Sequence, residues 1–443
     1  MLSQTTPPPR LRGRREPAWR DRIAKRLPDL SRLRAFRRLW AAQTISYLGD
    51  QVTVVALPMT AVLTLGASAS ETGLLAAAGT AANLVFSLHA GAFADRYGKH
   101  RATMVSADLG RAVLLASVPL AYWLGVLTLG QLYLVAFLTG TLAVLFNVSA
   151  VGLFTAVVPR ESYVQGNSLI RGSYSFSWVA GPSAAGVLVQ MMSAPIALII
   201  DVASFLGSAL LLRSIRPPEP VNRAVSGHGV REGLAFVRRT PALRAKFAAE
   251  TSLSFFHSVY FALVILFAAR TLGLSAGMIG LTLGVGACGA LLGSAVTGRT
   301  SGRIGLGRAY VLGSLLYPAA LALVPLAPDG GWGAVALMTL AQFGGGLGLM
   351  LCDISGNAIQ QALTPGRLRS RVQGAYLAFN AGARPLGALA GGLLGDRIGL
   401  RPTLWIAVIG GVASVLPLLP SPLPRMRDLP RRPVDLEHIA KGR

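Results

Sequence analysis

The stretch "GAFADRYGKHR" (Gly91–Arg101) is a short charged segment between two long apolar runs. Two similar segments follow it, "GRTSGRIGLGR" (Gly298–Arg308) and "GLLGDRIGLR" (Gly392–Arg401). Two glycines and two arginines of the first segment recur in the second at a constant offset of 207 residues. A separate match, "VQG" at 164–166 and again at 372–374, has an offset of 208. The two matches predict a chain made of two similar halves.

The composition predicts that this chain lies mostly in lipid. Of its 443 residues 52% are hydrophobic and 14% charged, and the mean hydropathy is +0.54, whereas soluble domains carry about 25% charged residues. Apolar runs near 20 residues, the length of a membrane-spanning helix, recur along the chain. We predict an all-α membrane protein with twelve spans, numbered helices 1 to 12: 37–63, 72–92, 102–124, 131–156, 163–190, 195–212, 246–269, 277–298, 308–326, 332–359, 373–394 and 403–420.

The net charge of +24 invites comparison with nucleic-acid-binding proteins. If the N-terminus is cytoplasmic, however, 36 of the 42 Lys and Arg residues fall on the cytoplasmic side. This asymmetry is the positive-inside bias of membrane proteins and argues against nucleic-acid binding. It predicts a multi-pass protein of the plasma (inner) membrane with both termini in the cytoplasm and with basic segments near anionic lipid.

The spans and loops predict five segments. A basic cytoplasmic tail (1–36) precedes an N-terminal six-helix bundle (37–212), and a C-terminal six-helix bundle (246–420) precedes a second cytoplasmic tail (421–443). The linker at 213–245 contains "REGLAFVRRTPAL", which predicts a short amphipathic helix at the cytoplasmic surface. The N-terminus lacks the apolar core of a cleaved signal peptide, so no cleavage is expected.

Enzyme motifs are absent from the sequence. Cys288 and Cys352 lie in apolar helices without metal-ligand spacing, and the five histidines are scattered. No phosphate-binding loop or nucleophile motif is visible. The expectation is a protein that is not an enzyme and uses no cofactor and no metal.

The motifs resemble those of a known family. "GAFADRYGKHR" matches in full the loop 2–3 signature of the major facilitator superfamily, Gly-x-x-x-Asp-Arg-x-Gly-x-x-Arg. "VAGPSAAG" (Val179–Gly186) resembles the helix 5 antiporter motif of drug exporters. "LWAAQTISYLGDQVTVVALPM" in helix 1 looks like the twelve-helix exporters that include macrolide and enterobactin efflux proteins. The resemblance implies the major facilitator fold of two pseudo-symmetric six-helix bundles and a multidrug-resistance type of efflux. Helix 4 lacks the arginine that many proton-coupled drug antiporters carry there.

The resemblance also implies a cytoplasmic gate at loop 2–3. In the family the motif aspartate, here Asp95, lies against the N-terminus of helix 11, where free amides stabilise a carboxylate. Arg96 and Arg101 would bind neighbouring carboxylates or carbonyls. Gly91 would allow close helix packing, and Gly98 would permit the tight turn. The alternative is that the basic loop only fixes topology.

Two further sets of residues are predicted to support the cytoplasmic gate and to close the outer half of the transporter. Asp108 and Arg111 form an i,i+3 pair in helix 3, interpreted as a structural link to the loop motif with a transport site as the alternative. Gly181 and Pro182 interrupt the hydrogen-bond ladder of helix 5. With Gly186 they form the antiporter motif, which in the family seals the outer half against leak.

Ionisable residues inside membrane spans indicate a structural or functional role, because inserting each of them at mid-membrane costs about 2.5–3.5 kcal/mol of free energy. Asp50 lies roughly 16 Å deep in helix 1, near the midplane. It shares a helical stripe with Gln43, Tyr47 and Val54. Asp50 is the predicted proton carrier or substrate-cation contact. The alternative is a structural carboxylate that is hydrogen-bonded between helices.

The repeat offset places His257 of helix 7 at the position equivalent to Asp50. With Glu250 and Ser254 it forms a second polar stripe. His257 is interpreted as a titrating group or, alternatively, as a packing residue with its hydrogen bonds satisfied.

Arg384 in helix 11 also lies near the midplane and is predicted to have a carboxylate partner, Asp50 or Asp353. Structural pairing and binding of a substrate anion are both open for it. Asp353 and Asn147 occupy corresponding places in helices 10 and 4 and are predicted to line the cytoplasmic half of the cavity. Asp201 in helix 6 has the weakest claim to a role.

The three similar segments are interpreted differently. The second has Gly302 where the first has Asp95, so the carboxylate gate is predicted on one half only. The third, with Asp396 and Arg397, falls on the outer side and is interpreted as a chance likeness of turn chemistry.

These patterns predict a secondary active transporter that works by alternating access as a proton-coupled exporter of a drug-like compound or secondary metabolite. Its partners are the small-molecule substrate, protons and the lipid bilayer, with no nucleic acid, and it is expected to be a monomer. An importer, a lipid transporter or a siderophore transporter of the same fold is the alternative. A membrane scaffold or sensor without transport is the alternative of another class.

Overall fold

The computed structural model describes residues 30, 33–97, 99–216 and 229–427. Within them the chain forms helices joined by short turns, and no strand occurs. Twelve long helices, labelled α1 to α12, correspond in order to the predicted spans. They are α1 (Arg34–Met59, continued by a π-helical turn Thr60–Thr64), α2 (Ala69–Tyr97), α3 (His100–Trp123), α4 (Leu129–Val157), α5 (Tyr163–Met192), α6 (Ala194–Arg213), α7 (Pro241–Arg270), α8 (Ala276–Ile304), α9 (Leu306–Leu321), α10 (Gly331–Leu363), α11 (Arg369–Ile398) and α12 (Leu400–Ala413).

Nine of these helices, counted over the described ranges, are long and apolar enough to cross a membrane. The other three are α2, α5 and α11. Each of them contacts a helix of the opposite half, α2 with α11 and α5 with α8. These three helices therefore lie along the boundary between the halves.

Helix pairing repeats between the two halves. In the first half α1 packs on α5 and α6, α2 on α4, and α3 on α4 and α6. In the second half each of these pairs has its counterpart six helices later: α7 with α11 and α12, α8 with α10, and α9 with α10 and α12. This correspondence agrees with the sequence offset and gives the chain its two pseudo-symmetric six-helix bundles.

Turn chemistry explains the likeness of the second and third charged segments. Gly305 ends α8 with φ +91° and ψ 151°, and Gly399 ends α11 with φ +91° and ψ 162°. A positive φ is accessible to glycine without strain from a Cβ atom. Both segments therefore make the same sharp reversal into the next helix. Gly98 of the first segment lies outside the described residues.

The ends of the bundle are named here by charge. The basic face is the end where α1 begins and α2 ends, and the far face is the opposite end. On the far face the halves touch through glycines: a Cβ atom on Gly73 of α2 would lie 2.8 Å from the Cα of Gly392 in α11. A Cβ atom on Gly186 of α5 would lie 2.5 Å from the Cα of Gly280 in α8. Backbone therefore packs directly on backbone, and the far face is closed.

Toward the basic face the halves separate. A Cβ atom on Gly172 of α5, or on Gly298 or Gly302 of α8, would meet no atom within 4 Å. Val164 in the first turn of α5 is 81% exposed. The close α5–α8 contacts at Gly186 and Gly280 lie in the far halves of these helices, so the cavity between the bundles opens at the basic face.

The linker contains the predicted amphipathic helix, at Gly229–Arg239. This linker helix packs on α11, where Gly233 leaves no room for a Cβ atom beside the Arg371 backbone, and Glu232 forms an ion pair with Arg371. Helix α7 begins at Pro241, earlier than the predicted boundary at 246. Lys246 therefore lies inside a helix and not in the linker.

Candidate transport site

A buried arginine joins two aspartates of different helices. Arg111 of α3 forms an ion pair with Asp108 one turn earlier, and its Nη1 lies 3.2 Å from Oδ1 of Asp50 in α1. Its Nη2 also lies 3.5 Å from the hydroxyl of Ser46. The Asp108–Arg111 pair that the spacing predicts is present. Among the described side chains it contacts Asp50 and Ser46 of α1; the predicted link to the loop motif stays a prediction, because the side chains of that motif are not described.

Aromatic rings and burial fix this guanidinium in place. Its Cζ lies 4.1 Å from the ring centre of Phe205 and 4.8 Å from that of Phe146, within the range of cation–π contacts. Arg111 is 2% exposed and Asp108 is fully buried, and Oδ2 of Asp108 makes no hydrogen bond within the described part of the chain. Asp50 differs, because 41% of its side chain is exposed. It is therefore the member of the group that the cavity can reach.

Asp201 of α6 adds a third carboxylate to this region. It is fully buried and accepts hydrogen bonds from the hydroxyls of Thr53, in the turn of α1 that follows Asp50, and of Ser204. Gly49 makes this approach possible, since a Cβ atom there would lie 2.7 Å from Cβ of Ser204 and would overlap Asp201. Depth along a helix does not reveal which neighbour lies across it, so the position of Asp201 beside α1 could not be predicted from the sequence. We call Asp50, Asp108, Arg111 and Asp201 the acidic cluster.

Aromatic residues lie next to Asp50. The Tyr47 ring, one turn before Asp50, meets Tyr174 of α5 edge to face at 5.2 Å, and Tyr174 lies 6.3 Å from Trp178. Tyr174 is 40% and Trp178 52% exposed. These three rings, named here the aromatic wall, give the cavity an apolar surface with polar edges. Such surfaces bind flat apolar molecules.

The predicted polar stripe of α7 does not form a single site. His257 shares a hydrogen bond between its Nδ1 and the Tyr317 hydroxyl, and the hydroxyl of Ser254 donates to Asn380. Glu250 pairs with Lys246. The three side chains thus form their hydrogen bonds with different partners inside the second half, which matches the alternative interpretation of His257 as a packing residue.

Glu250 belongs to a buried ion pair. The Nζ atom of Lys246 lies 2.6 Å from Oε2 of Glu250 and donates to Oε1 of Gln360 at 3.0 Å. The Tyr310 hydroxyl donates to the other Glu250 oxygen at 3.2 Å. The Lys246 and Glu250 side chains are 2% and 11% exposed. Both carboxylate oxygens of Glu250 and the ammonium group of Lys246 thus have hydrogen-bond partners, as a stable buried ion pair requires.

Arg384 has no carboxylate partner among the described residues, which corrects the predicted pairing with Asp50 or Asp353. Asp50 pairs with Arg111 instead, and Asp353 accepts a hydrogen bond from Asn357 at 3.0 Å. Arg384, Asp353 and Asn147 are all exposed. The depth of these residues in the membrane can be predicted from their position along each helix. The side of the helix on which they lie depends on how the helices pack, which the sequence does not show.

Part of the predicted gate falls outside the described residues. Gly98 is one such position, and although Gly91, Asp95 and Arg96 lie in the last turns of α2, their side chains are not described. Arg101 is described. Its Nη1 donates to the carbonyl of Ile215 at 2.8 Å and to that of Arg213 at 3.3 Å, just past the end of α6.

The antiporter motif of α5 lies on the closed side of the molecule. Gly181 packs against the side chain of Gln51 in α1, and Pro182 presents its carbonyl to Gly280 of α8. Gly186 makes the backbone contact with Gly280 described above. The motif thus lies where α5 meets both its own half and the opposite half.

The third charged segment makes a specific contact between the halves. The Asp396 carboxylate, at the end of α11, accepts hydrogen bonds from the backbone amides of Ala69 and Ser70 at 3.0 Å each. The Ser70 hydroxyl donates to the Gly392 carbonyl at 3.4 Å. These are the free amides of the α2 N-terminus, where a carboxylate is stabilised. The segment is a similar turn on the far face, as the sequence predicts, and in addition Asp396 links the two halves there.

The two-bundle helical fold and its cavity are those of a membrane transporter, and the comparisons with known proteins agree. The family model described as Major Facilitator Superfamily matches residues 39–352 and 247–441. The chain belongs to the major facilitator superfamily. It is a multi-pass membrane transporter that resembles drug exporters, and it is not an enzyme.

Two relatives illustrate the likeness in sequence. The multidrug efflux pump Tap of Mycolicibacterium fortuitum is 27% identical over 412 residues, covering 86% of this chain and 95% of that protein. The uncharacterised MFS-type transporter YfiS of Bacillus subtilis is 26% identical over 373 residues, covering 82% and 87%.

Solved structures share the fold at low identity. A bacterial homologue of the iron transporter ferroportin in its inward-facing state superposes with a TM-score of 0.69 at 16% identity, covering 88% of this chain and 98% of that one. The nucleoside transporter NupG gives a TM-score of 0.69 at 13% identity, covering 87% and 98%. At these identities the likeness concerns the fold alone.

Proposed function

We propose that this transporter is a proton-coupled exporter of a drug-like compound or secondary metabolite, and that the acidic cluster carries the coupling. Three carboxylates and one guanidinium share a buried region of α1, α3 and α6. A single arginine neutralises one carboxylate. Holding the others ionised is costly, most of all for the fully buried Asp201, and a bound proton removes that cost.

Within the cluster, Asp50 is the proposed site of proton exchange. Its side chain is the partly exposed member, whereas Asp108 and Asp201 are fully buried. A proton on Asp50 would release its contact with Arg111, which would keep Asp108 as a partner. The charge facing the cavity would then change without leaving the arginine unpaired.

The aromatic wall beside Asp50 is the proposed substrate surface. Tyr47 and Trp178 offer ring area, and Asp50 in its ionised form offers a negative charge at the edge. Protonation of Asp50 would therefore lower the affinity for a cationic substrate, and its deprotonation would restore that affinity. This is the exchange that an antiporter needs.

The orientation and direction are part of the proposal. The distribution of Lys and Arg supports a cytoplasmic basic face in the plasma membrane, with both termini inside. The open cavity then faces the cytoplasm. Export is supported by the multidrug efflux pumps among the relatives. One elementary charge crossing 100 mV supplies about 2.3 kcal/mol, or a gradient of about 50-fold.

The test uses the full chain in inside-out vesicles with an imposed pH gradient. Ethidium and a set of fluorescent drug-like dyes serve as probes. Wild type is expected to accumulate at least one probe, and to lose the accumulation with a protonophore. Asp50→Asn is expected to abolish gradient-driven accumulation but to keep gradient-free exchange of the same probe, with a lower affinity for a cationic probe such as ethidium.

Asp329→Asn is the matched control, since Asp329 is an exposed far-face carboxylate paired with Arg401 of its own half. Full proton-driven accumulation by Asp50→Asn would refute the role of Asp50. Probe movement that ignores the protonophore would refute proton coupling itself, and absence of any flux across a wide metabolite panel would favour a non-transporting role.

A further inference from the structure

A cavity lined by arginines lies at the basic face, away from the transport site. It is formed by the ends of α1, α3 and α6 and has a volume of about 540 Å³, within the range of roughly 300–1,000 Å³ typical of small-molecule pockets. Five arginines line it, together with Ala35, Ser214 and Ile215: Arg34, Arg38, Arg101, Arg213 and Arg216. We propose that this arginine pocket binds the phosphate-bearing headgroup of an anionic phospholipid.

Two of the arginines are held in place by backbone groups. The Nη1 of Arg38 donates to the Ser214 carbonyl at 2.6 Å, and Arg101 donates to the carbonyls of Ile215 and Arg213. These carbonyls follow the C-terminus of α6, where acceptors lack helical partners. A guanidinium has five N–H donors, so both arginines keep donors for a ligand. The pocket is thus a positioned site.

The charge in the pocket is unbalanced. No carboxylate lines it among the described residues. The side chains of Arg34, Arg213 and Arg216 form no ion pair or hydrogen bond with any part of the chain that the structure describes. Five like charges around one cavity repel one another. An anion that accepts several hydrogen bonds removes the repulsion, and phosphate oxygens suit the guanidinium fork.

The location favours a lipid over a free phosphate ion. The pocket lies at helix ends on the face proposed to be cytoplasmic, at the level of the headgroups. Helices α3 and α6, which form two of its walls, make their main contacts within their own half in the described part of the chain. The cytoplasmic leaflet carries anionic lipids, and basic pockets between helices on that side suit their headgroups.

The pocket also touches the signature loop. Arg101 is the last residue of the segment that opens with Gly91, and it contributes both to the loop and to the pocket. A bound headgroup would therefore tie the start of α3 to the ends of α1 and α6. The lipid-binding proposal depends on the proposed cytoplasmic orientation of the basic face but not on proton coupling. It can therefore be tested by measuring lipid binding instead of transport.

The experiment compares purified protein in nanodiscs of neutral phosphatidylcholine with and without phosphatidylglycerol. Lipid that stays bound after detergent extraction is measured by native mass spectrometry, and the melting temperature is measured in both discs. Arg34→Gln with Arg216→Gln removes two charges that support no described contact. Each arginine near anionic lipid is worth a factor of about 5, so the double variant is expected to retain phosphatidylglycerol about 30-fold more weakly.

The matched control is Arg303→Gln with Arg308→Gln, in the corresponding loop of the second half, and it is expected to bind like wild type. An unchanged melting temperature in neutral discs shows that the double variant is folded. Equal phosphatidylglycerol retention by the double variant and wild type would overturn the proposal. Stabilisation by millimolar inorganic phosphate in neutral discs equal to that by phosphatidylglycerol would assign the pocket to a soluble anion and overturn the lipid assignment.

Discussion

Replacing Asp396 by asparagine is expected to weaken the closed far face. In the structure both Asp396 oxygens accept from the amides of Ala69 and Ser70, across the boundary between the halves. Asparagine has only one acceptor oxygen and no charge. Its NH₂ group would face one of the two backbone N–H groups, and two donors cannot form a hydrogen bond with each other. The closed state loses this stabilisation, whereas a state with separated halves has none to lose.

The magnitude follows from the contact. An exposed carboxylate at a helix N-terminus contributes about 0.3–1 kcal/mol, and a capping side chain about 0.5–2 kcal/mol. We take about 1 kcal/mol, because Asp396 is solvent-exposed. That is a factor of about 5 in the equilibrium. A closed-to-open ratio of about 10 would fall to about 2, raising the open fraction from about 9% to about 35%.

The variant should not unravel α2 itself. Ser68 and Glu71 form a capping box at the start of α2, with the Ser68 amide donating to Glu71 at 2.7 Å and the Glu71 amide donating to the Ser68 hydroxyl at 3.2 Å. The helix keeps its own cap when Asp396 changes. The expected effect is therefore on the contact between halves and not on local helix stability.

The assay measures distances across the far face by electron–electron resonance. Spin labels at Trp123→Cys and Trp332→Cys sit at exposed far ends of α3 and α10, one in each half, in a background in which Cys288 and Cys352 are replaced. The Asp396→Asn variant is expected to enlarge the long-distance population. Asp329→Asn, whose ion pair of 2.5 Å with Arg401 lies within one half, is the control. An unchanged distribution in Asp396→Asn, or an equal shift in both variants, would refute the reasoning.

Three further changes test the packing. Gly49→Ala is expected to lower the melting temperature, because the added methyl group overlaps Ser204 and Asp201 and overpacking costs about 1–3 kcal/mol, whereas Gly172→Ala meets no neighbour. Lys246→Met is expected to destabilise by about 3–5 kcal/mol, measured by chemical unfolding, because it leaves Glu250 buried without its cation. Gly186→Leu is expected to prevent closure of the far face and to stop turnover in a vesicle transport assay.

Each of these expectations has a result that contradicts it. Equal melting temperatures for Gly49→Ala and Gly172→Ala would show that α1 and α6 are farther apart than described. A Lys246→Met protein that unfolds no earlier than the double variant Lys246→Met/Glu250→Leu would argue against the buried pair. Normal turnover of Gly186→Leu would argue against direct backbone contact, and Gly277→Ala, with room for its methyl group, is the control.

The number and order of the helices could be predicted because hydropathy and helix length are local properties of the sequence. The pseudo-symmetry followed from the offset that relates Gly91 to Gly298. The Asp108–Arg111 pair could be predicted from i,i+3 spacing alone. Contacts across helices could not: Arg111 and Asp50 are 61 residues apart in the sequence.

The errors have the same origin. Arg384 was assigned a carboxylate because its depth matched, yet depth does not specify the direction of a side chain around the helix. The contact of Asp396 with the other half could not be predicted either, although helix counting places this residue correctly on the opposite side from the first segment. The antiparallel pairing of α2 with α11, which one sequence does not reveal, brings it to the start of α2.

The glycine contacts on the far face set the energy scale on which this transporter can reverse. Where Gly73 meets Gly392 and Gly186 meets Gly280, separation uncovers mainly backbone and little apolar side chain. Apolar area is what makes a parted interface costly, at about 25 cal/mol per Å². Opening these two contacts therefore costs little hydrophobic free energy. The proposed proton coupling would supply about 2.3 kcal/mol per proton and 100 mV, and the glycine contacts require less of it for uncovering apolar area than leucine contacts would.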